Sequence, residues 1–230
     1  MTYTLNVLQD GYSTTQPDDS MRANGTCSLL TSSNNNIIVD TLGPWDCLRL
    51  QDLLALHALT PADITHVVCT HGHPDHTGNN NLFTEAKLHI VGHSVFKGDV
   101  YYNHSFDEGV PYDIDEWVSV IPTPGHTLDS LSVVVTDCKI GDDSCSGTPA
   151  CCVVIAGDLF EREGDILDSS LWKEAGSEDK TLQIQMRQHM SDAADYIVPG
   201  HGSMFRVTDS MKSVLIQDVT DHHQSMLDSS

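Results

Sequence analysis

Thr70-His71-Gly72-His73-Pro74-Asp75-His76-Thr77-Gly78 is the most informative stretch of this chain. It places three imidazoles and one carboxylate close together, directly after the apolar run at 64–70. After a strand end, side chains at alternate positions converge, so His71 and His73 can hold one cation while Asp75 and His76 face a neighbouring one. Zinc favours such nitrogen and oxygen ligands, at about 2.0–2.2 Å. The stretch therefore predicts a metal site rather than a histidine-rich surface turn.

Three more residues of ligand type follow apolar runs elsewhere in the chain. They are His126 in Thr123-Pro124-Gly125-His126-Thr127, Asp158 in Val154-Ile155-Ala156-Gly157-Asp158, and His201 in Tyr196-Ile197-Val198-Pro199-Gly200-His201-Gly202. Taken singly, the two histidines are typical of turns and the aspartate of a helix N-cap. Because all of them follow predicted strands, as residues 71–76 do, the joint pattern indicates one shared site.

The composition bounds the class of protein. The chain has 230 residues, of which 39% are hydrophobic, so it can bury a core and wholesale disorder is excluded. Its 33 Asp and Glu against 11 Lys and Arg give a net charge of −22, which disfavours nucleic-acid backbones at long range. No apolar run approaches the ~18–20 residues that cross a bilayer, and the start shows no secretory pattern.

Cysteine usage indicates the compartment. The seven cysteines are odd in number and scattered, with no zinc or disulfide spacing: Cys27, Cys47, Cys69, Cys138, Cys145, Cys151 and Cys152. Such usage is typical of a reducing environment. We therefore expect the cytoplasm, the nucleus or both, and no membrane association.

Hydrophobic periodicity predicts a mixture of strands and helices. The predicted strands are 3–7 (an edge strand), 26–31, 36–40, 64–70, 87–91, 117–121, 131–136, 152–156 and 196–199. The predicted helices are 48–56, a segment that begins near His76, and 178–194, while 97–115 and 137–150 are predicted loops. We expect one α/β domain over 1–208, with two packed sheets and helices on their outer faces. Residues 209–230 form a tail that is either helical or disordered.

The order His-x-His-x-Asp-His, Gly-His, Gly-Asp and Pro-Gly-His-Gly resembles the metallo-β-lactamase superfamily, from Asp40 to His201. The resemblance implies an αββα sandwich of two mixed sheets flanked by helices, with two Zn²⁺ at one edge. The implied ligands are His71, His73 and His126 for the first cation, Asp75, His76 and His201 for the second, and Asp158 bridging both. Asp40 matches an early aspartate that orients a metal-binding loop. The family has glycine where Leu42 stands, which leaves the turn after Asp40 open.

The implied chemistry is hydrolysis. Two zinc ions lower the pKa of a shared water from ~16 to near 7, and Asp75 and Asp158 would orient the metal-bridging hydroxide. Iron stays open as the metal, since persulfide dioxygenases with a single iron share the early motif. A non-catalytic metal-dependent binding module is the third alternative, and the complete set of ligand-competent residues disfavours it.

Two substrate classes remain open. The stretches 39–45, 157–162 and 201–207 are similar to a small single-domain animal branch of the superfamily, which implies an endoribonuclease acting on histone pre-mRNA 3′ ends. The acidic charge and a glyoxalase-II-like core favour a small thioester or ester instead. Arg162 and Arg206 follow metal motifs and are candidate substrate contacts, unless they pair with Glu161 or Glu163.

A group that protonates the leaving group is not assigned by any motif. The candidates lie in the middle of the chain: His93, His104, Tyr101 and Tyr102. Of these, His93 and His104 are also candidate substrate contacts. A monomer and a homodimer are both compatible with the sequence.

Overall fold

The computed structural model describes residues 2–141 and 150–228. In chain order the strands are β1 (Tyr3–Gln9), β2 (Tyr12–Thr15), β3 (Met21–Asn24), β4 (Cys27–Thr31), β5 (Asn36–Val39), β6 (His66–Cys69), β7 (Leu88–Val91), β8 (Ser94–Lys97), β9 (Val100–Tyr102), β10 (Tyr112–Asp113), β11 (Val118–Pro122), β12 (Leu131–Ile140), β13 (Cys151–Gly157), β14 (Tyr196–Pro199) and β15 (Phe205–Arg206). The helices are α1 (Cys47–Leu56), α2 (Pro74–Thr77), α3 (Ser170–Lys173), α4 (Lys180–Ala193) and α5 (Asp209–Asp228). The predicted strands and helices all occur, with ends shifted by a few residues.

One mixed sheet runs through most of the molecule, in the order β15-β14-β13-β12-β1-β4-β5-β6-β7-β8-β9. Strand β12 pairs with β11 along its first half and with β1, in parallel, along its second half. The join between the two halves of the sheet therefore lies at β1 and β12, where Tyr3 stands opposite Cys138. The two expected sheets are hydrogen-bonded to each other at this join.

Alternating side chains build the layers of the sandwich. Ile37 and Val68 of one half and Val133 and Ile155 of the other belong to one buried cluster between the halves. The outward residues of β4 to β6 pack with α1, and those of β13 and β14 pack with α4 and α5. Helices thus cover the outer faces, and the predicted αββα architecture is confirmed.

Two local predictions are wrong. Residues 3–7 were expected to form an edge strand, but β1 lies inside the sheet between β4 and β12, because each of its edges finds a backbone partner. Residues 97–115 were expected to be a loop, but they contain β9 and β10, and β8 and β9 form a hairpin around Gly98, whose φ is +59°. The predicted loop at 137–150 overlaps the end of β12, and residues 142–149 lie outside the described part of the chain.

The tail forms a helix through residue 228. Leu215 of α5 is buried in the outer cluster that also contains Met190 of α4, and the Thr181 hydroxyl lies 2.9 Å from His222 Nε2. Of the two states that the sequence left open for the tail, the described residues adopt the helical one. Within residues 2–141 and 150–228, no helix is both long enough and apolar enough to cross a membrane.

Candidate metal centre

The predicted ligands come together where several strands end. His71 and His73 follow β6, and Asp75 and His76 lie in the short helix α2. The other three follow β11, β13 and β14: His126, Asp158 and His201. The seven side chains form two adjacent groups of donor atoms, one of His71, His73, His126 and Asp158 and one of Asp75, His76 and His201.

The first group has the spacing of a tetrahedral metal site. His71 Nε2 lies 2.8 Å and His126 Nε2 lies 3.2 Å from His73 Nδ1. Asp158 Oδ2 lies 3.6 Å from His71 Nε2 and 3.4 Å from His126 Nε2. Bonds of about 2.0–2.1 Å to a tetrahedral zinc place neighbouring ligand atoms about 3.3 Å apart. These four side chains therefore fit one such cation.

The second group shares Asp158 with the first. His76 Nε2 lies 3.2 Å from Asp158 Oδ1, and His201 Nε2 lies 3.2 Å from Asp158 Oδ2. Asp75 Oδ2 is 4.0 Å from His76 Nε2 and 3.8 Å from His201 Nε2. His76 Nε2 and Asp158 Oδ1 are buried without a hydrogen-bond partner among the described residues. Because such groups are costly to bury unpaired, their convergence fits a second cation.

A shell of hydrogen bonds orients the imidazoles. Asp40 Oδ1 accepts a hydrogen bond from the Thr70 backbone N–H at 2.7 Å, and Oδ2 accepts one from the Thr70 hydroxyl at 3.0 Å. Asp40 Oδ2 also lies 2.8 Å from His76 Nδ1, and the Asn24 carbonyl lies 3.1 Å from His201 Nδ1. With Nδ1 donating in each case, both Nε2 atoms keep a lone pair for a metal. Asp40 thus contacts the ligand loop rather than the cation position.

The turn after Asp40 has an unusual backbone. Asp40 and Leu42 have φ angles of +58° and +59°, in the left-handed region. Leu42 therefore adopts the conformation that glycine takes most easily, and its side chain is fully buried against α1. Packing of this side chain offsets the backbone strain, which explains how leucine replaces glycine here.

Glycines allow the metal loops to approach one another. A Cβ at Gly200 would lie 1.8 Å from Asp158 Oδ1, and one at Gly157, whose φ is +53°, would lie 2.4 Å from the Thr70 hydroxyl oxygen. By contrast, among the described residues none but its chain neighbours comes within 4 Å of a Cβ placed on Gly72. Of these three glycines, Gly200 and Gly157 are therefore required by close contacts and Gly72 is not.

Burial and neighbouring charges shift the pKa values of the predicted ligands in opposite directions. Burial, together with the neighbouring imidazoles, holds the pKa of His71 well below its usual value. Burial also disfavours charge on His76 and His201, but Asp158 outweighs it, raising the pKa of His76 well above normal and that of His201 to about 9. Burial opposes ionisation of Asp158, yet His76 and the other histidines hold its pKa well below the usual range. A cation must displace the bound protons, so metal affinity should rise with pH.

The two candidate arginines lie in different places. Arg162 lies beside the metal loops, since a Cβ at Gly202 would be 2.9 Å from Arg162 Cβ. Its Nε is buried without a hydrogen-bond partner in the described chain. Arg206 pairs with Tyr196 at the start of β14, the end remote from His201. Within the described residues neither arginine makes an ion pair, with Glu161, Glu163 or any other carboxylate.

The candidates for a leaving-group acid are engaged in other contacts or lie at the edge of the sheet. His93 Nδ1 lies 2.7 Å from Asp107 Oδ1, and His104 Nε2 lies 3.0 Å from the Val110 carbonyl. Tyr101 and Tyr102 are exposed on β9, the terminal strand of the sheet. No hydrogen bond, ion pair or ring contact joins these side chains to the seven predicted metal ligands in the described structure.

Sequence reasoning missed two residues of the site. Asn24 contributes its backbone carbonyl to His201, a role that carries no side-chain signal. Glu161 is buried next to the site, and burial followed by the charge of Asp158 raises its pKa to about 8. Its position three residues after Asp158 was visible, but its burial was not.

Fold and site together define a class of metal-dependent hydrolase. The family model of the metallo-beta-lactamase superfamily matches residues 22–201, which include all seven ligand positions. The chain belongs to the metallo-β-lactamase superfamily.

Relatives within the superfamily extend over most of the chain. It is 40% identical to metallo-beta-lactamase domain-containing protein 1 of Xenopus laevis over 207 residues, which cover 89% of this chain and 82% of the relative. It is 34% identical to the protein of the same name from Rattus norvegicus, over 89% of this chain and 87% of that one. Among solved structures, a probable metal-dependent hydrolase from Staphylococcus aureus has the same fold, with a TM-score of 0.63 and 13% identity over 91% of this chain and 94% of that one.

Proposed function

We propose that this chain is a hydrolase that uses two Zn²⁺ ions. The observation that carries the proposal is the Asp158 carboxylate, whose oxygens lie 3.2–3.6 Å from imidazole nitrogens of both ligand groups. When bound, a pair of such cations activates water and polarises the bond to be cleaved. A carboxylate within reach of both ligand groups favours a two-cation site over a single-cation site.

Different residues of the chain have different roles around that pair of cations. Asp158 is buried and fixes the spacing of the two groups, while Asp40 accepts from His76 Nδ1 and so directs His76 Nε2 towards the cation position. His73 is exposed and Asp75 is partly exposed, so the site is open to solvent on their side. On that side the Asp75 carboxylate would orient a water and accept its proton.

For the substrate we propose the phosphodiester bond of RNA. The support is the similarity to the small animal branch, seen in the stretches 39–45, 157–162 and 201–207 and in relatives 34–40% identical to this chain. Arg162 adds a positive charge beside the metal loops, where a guanidinium can bind a phosphate. Action on pre-mRNA would require a nuclear pool of the protein.

A small thioester or ester is the second candidate. The net charge of −22 opposes binding of a polyanion, and two Zn²⁺ would reduce it only to about −18. Arg206 lies away from the site, so it adds nothing to a basic track there. A short acyl substrate would need no such track.

One paired assay separates the two candidates. Zinc-loaded protein is offered short single-stranded RNA and S-lactoylglutathione, with zinc content measured in parallel. RNA turnover that persists at about 150 mM salt, is lost in Asp158→Asn and falls in Arg162→Gln but not in Arg206→Gln supports the first candidate. Thioester turnover alone supports the second. Full turnover and two bound zinc ions in Asp158→Asn would refute the bridging role of Asp158, and a wild-type protein that binds fewer than two zinc ions would refute the two-cation site.

A further inference from the structure

A buried ion pair lies behind the metal loops, on the side of α4. Arg187 and Asp165 are both fully buried, with Arg187 Nη2 2.6 Å from Asp165 Oδ1 and Nη1 3.1 Å from Oδ2. Arg187 Nη1 also donates to the Leu159 carbonyl at 2.8 Å, and the guanidinium lies 4.2 Å from the centre of the Phe160 ring. The arginine thus binds the loop that begins with Asp158 at three points.

Gln183 lies one helical turn before Arg187 and binds the same loop. Its Nε2 donates to the Asp158 carbonyl at 3.1 Å and to the Leu159 carbonyl at 3.4 Å. On the other side, a Cβ at Gly125, whose φ is +152°, would lie 2.4 Å from Gln183 Cβ. The turn that carries His126 therefore packs directly on Gln183, and α4 touches the loops of two ligands.

The loop in turn holds a third ligand. The His201 N–H donates to the Glu161 carbonyl at 2.9 Å, and the Gly200 N–H donates to the Phe160 carbonyl at 2.9 Å. The Glu161 N–H donates to Asp165 Oδ2 at 2.7 Å, the oxygen that Arg187 also binds. A continuous set of hydrogen bonds therefore runs from Arg187 through the loop to His201.

Stability alone is a poor reason for such a pair, because apolar replacement of a buried ion pair is often neutral or stabilising. Groups that orient metal ligands, by contrast, typically change metal affinity 10–100-fold when removed. We propose that Arg187 and Gln183 are positioning residues that fix Asp158 and His201 and so set the affinity of the site for its cations. This inference rests on the proposed two-cation site.

The test compares three variants for metal binding and for the spectrum of the cobalt-loaded protein. Arg187→Met with Asp165→Asn removes the guanidinium without leaving a charge buried, and an asparagine oxygen can still accept from the Glu161 N–H. Gln183→Met removes the two bonds to the Asp158 loop at nearly constant volume. Met190→Ala is the control, since it weakens packing of the same helix and donates no hydrogen bond to the loop.

Metal affinity is measured by competition with a chromophoric chelator, at a temperature well below the unfolding midpoint of each variant. The double variant Arg187→Met with Asp165→Asn should show a 10–100-fold loss of affinity for the more weakly held cation. Gln183→Met should show a smaller loss in the same direction, and both should change the cobalt absorption bands. Met190→Ala should lower the unfolding midpoint and leave affinity and spectrum unchanged. Wild-type affinity and spectrum in both loop variants, or a loss in Met190→Ala that matches theirs, would overturn the inference. Failure of the wild-type protein to bind two cations would instead refute the proposed function.

Discussion

Replacement of Gly200 by alanine should disable the metal centre by moving one oxygen. The new Cβ would lie 1.8 Å from Asp158 Oδ1, whereas a carbon and an oxygen in contact need about 3.2 Å, so one of them must move by about 1.4 Å. Gly200 is held by N–H bonds to the Gly157 and Phe160 carbonyls, which leaves the carboxylate as the group that yields. Functional sites tolerate displacements of about 0.5 Å, and a 1 Å misplacement can cost about 100-fold in rate.

The matched control is Gly72→Ala, since Gly72 also lies next to a histidine ligand but has open space around it. We expect Gly200→Ala to lose at least one of two zinc ions and about 100-fold or more in kcat/KM, and Gly72→Ala to stay within about threefold of the wild type. Plasma emission measures the zinc content, and hydrolysis of a chromogenic phosphodiester or ester measures kcat/KM. Two tightly bound zinc ions and normal turnover in Gly200→Ala would show that Asp158 does not occupy the bridging position.

Three other substitutions test the surroundings of the site. Asp40→Asn should weaken metal binding about 10–100-fold, because an NH₂ group replaces one carboxylate oxygen and must then face either the Thr70 N–H or the His76 Nδ1–H, neither of which it can accept from. Chelator competition measures this, and unchanged affinity would contradict it. In metal-free protein Glu161 keeps its proton up to a pKa of about 8, while the unfolded chain loses it near 4.5, so stability falls as pH rises between these values. In urea unfolding, the free energy of unfolding of Glu161→Gln relative to the wild type should therefore rise by up to about 1.4 kcal/mol per pH unit in that window. A difference that does not depend on pH would refute this. Leu42→Gly should relieve backbone strain but remove a buried side chain, so we expect the free energy of unfolding to fall by on the order of 2 kcal/mol in the same assay. An increase would show that relief of the strain outweighs the lost packing.

The cluster of candidate metal ligands could be predicted from the sequence because its chemistry is carried by side-chain type and spacing. His71, His73, His126 and His201 each follow an apolar strand, and strand ends are visible as a change from apolar to polar residues. Contacts made by the backbone have no such signal. The carbonyl of Asn24 orients His201, yet every residue in the chain has a carbonyl.

Pairing between strands that lie far apart in the chain could not be predicted from the sequence either. The alternation at Tyr3 and Leu5 predicts a strand with one buried face, but it does not say how many neighbours that strand has. The second neighbour of β1 is β12, which lies more than 120 residues further along the chain and leaves no signal near β1. The β8–β9 hairpin did have a local signal, the Gly98-Asp99 pair between Lys97 and Val100, which is typical of tight turns. The high content of Tyr, Asp and Gly in 97–115 led us to predict a loop there instead.

The parallel pairing of β1 with β12 has a consequence for synthesis on the ribosome. Tyr3 pairs opposite Cys138, so at about 5–20 residues per second roughly 7–27 s separate the emergence of the two partners. During that interval β1 can pair with β4 along one edge while its other edge has open hydrogen-bonding groups. Exposed edges of this kind recruit strands from other chains. Nascent chains on one polysome are therefore most vulnerable to cross-chain pairing before β12 has left the exit tunnel.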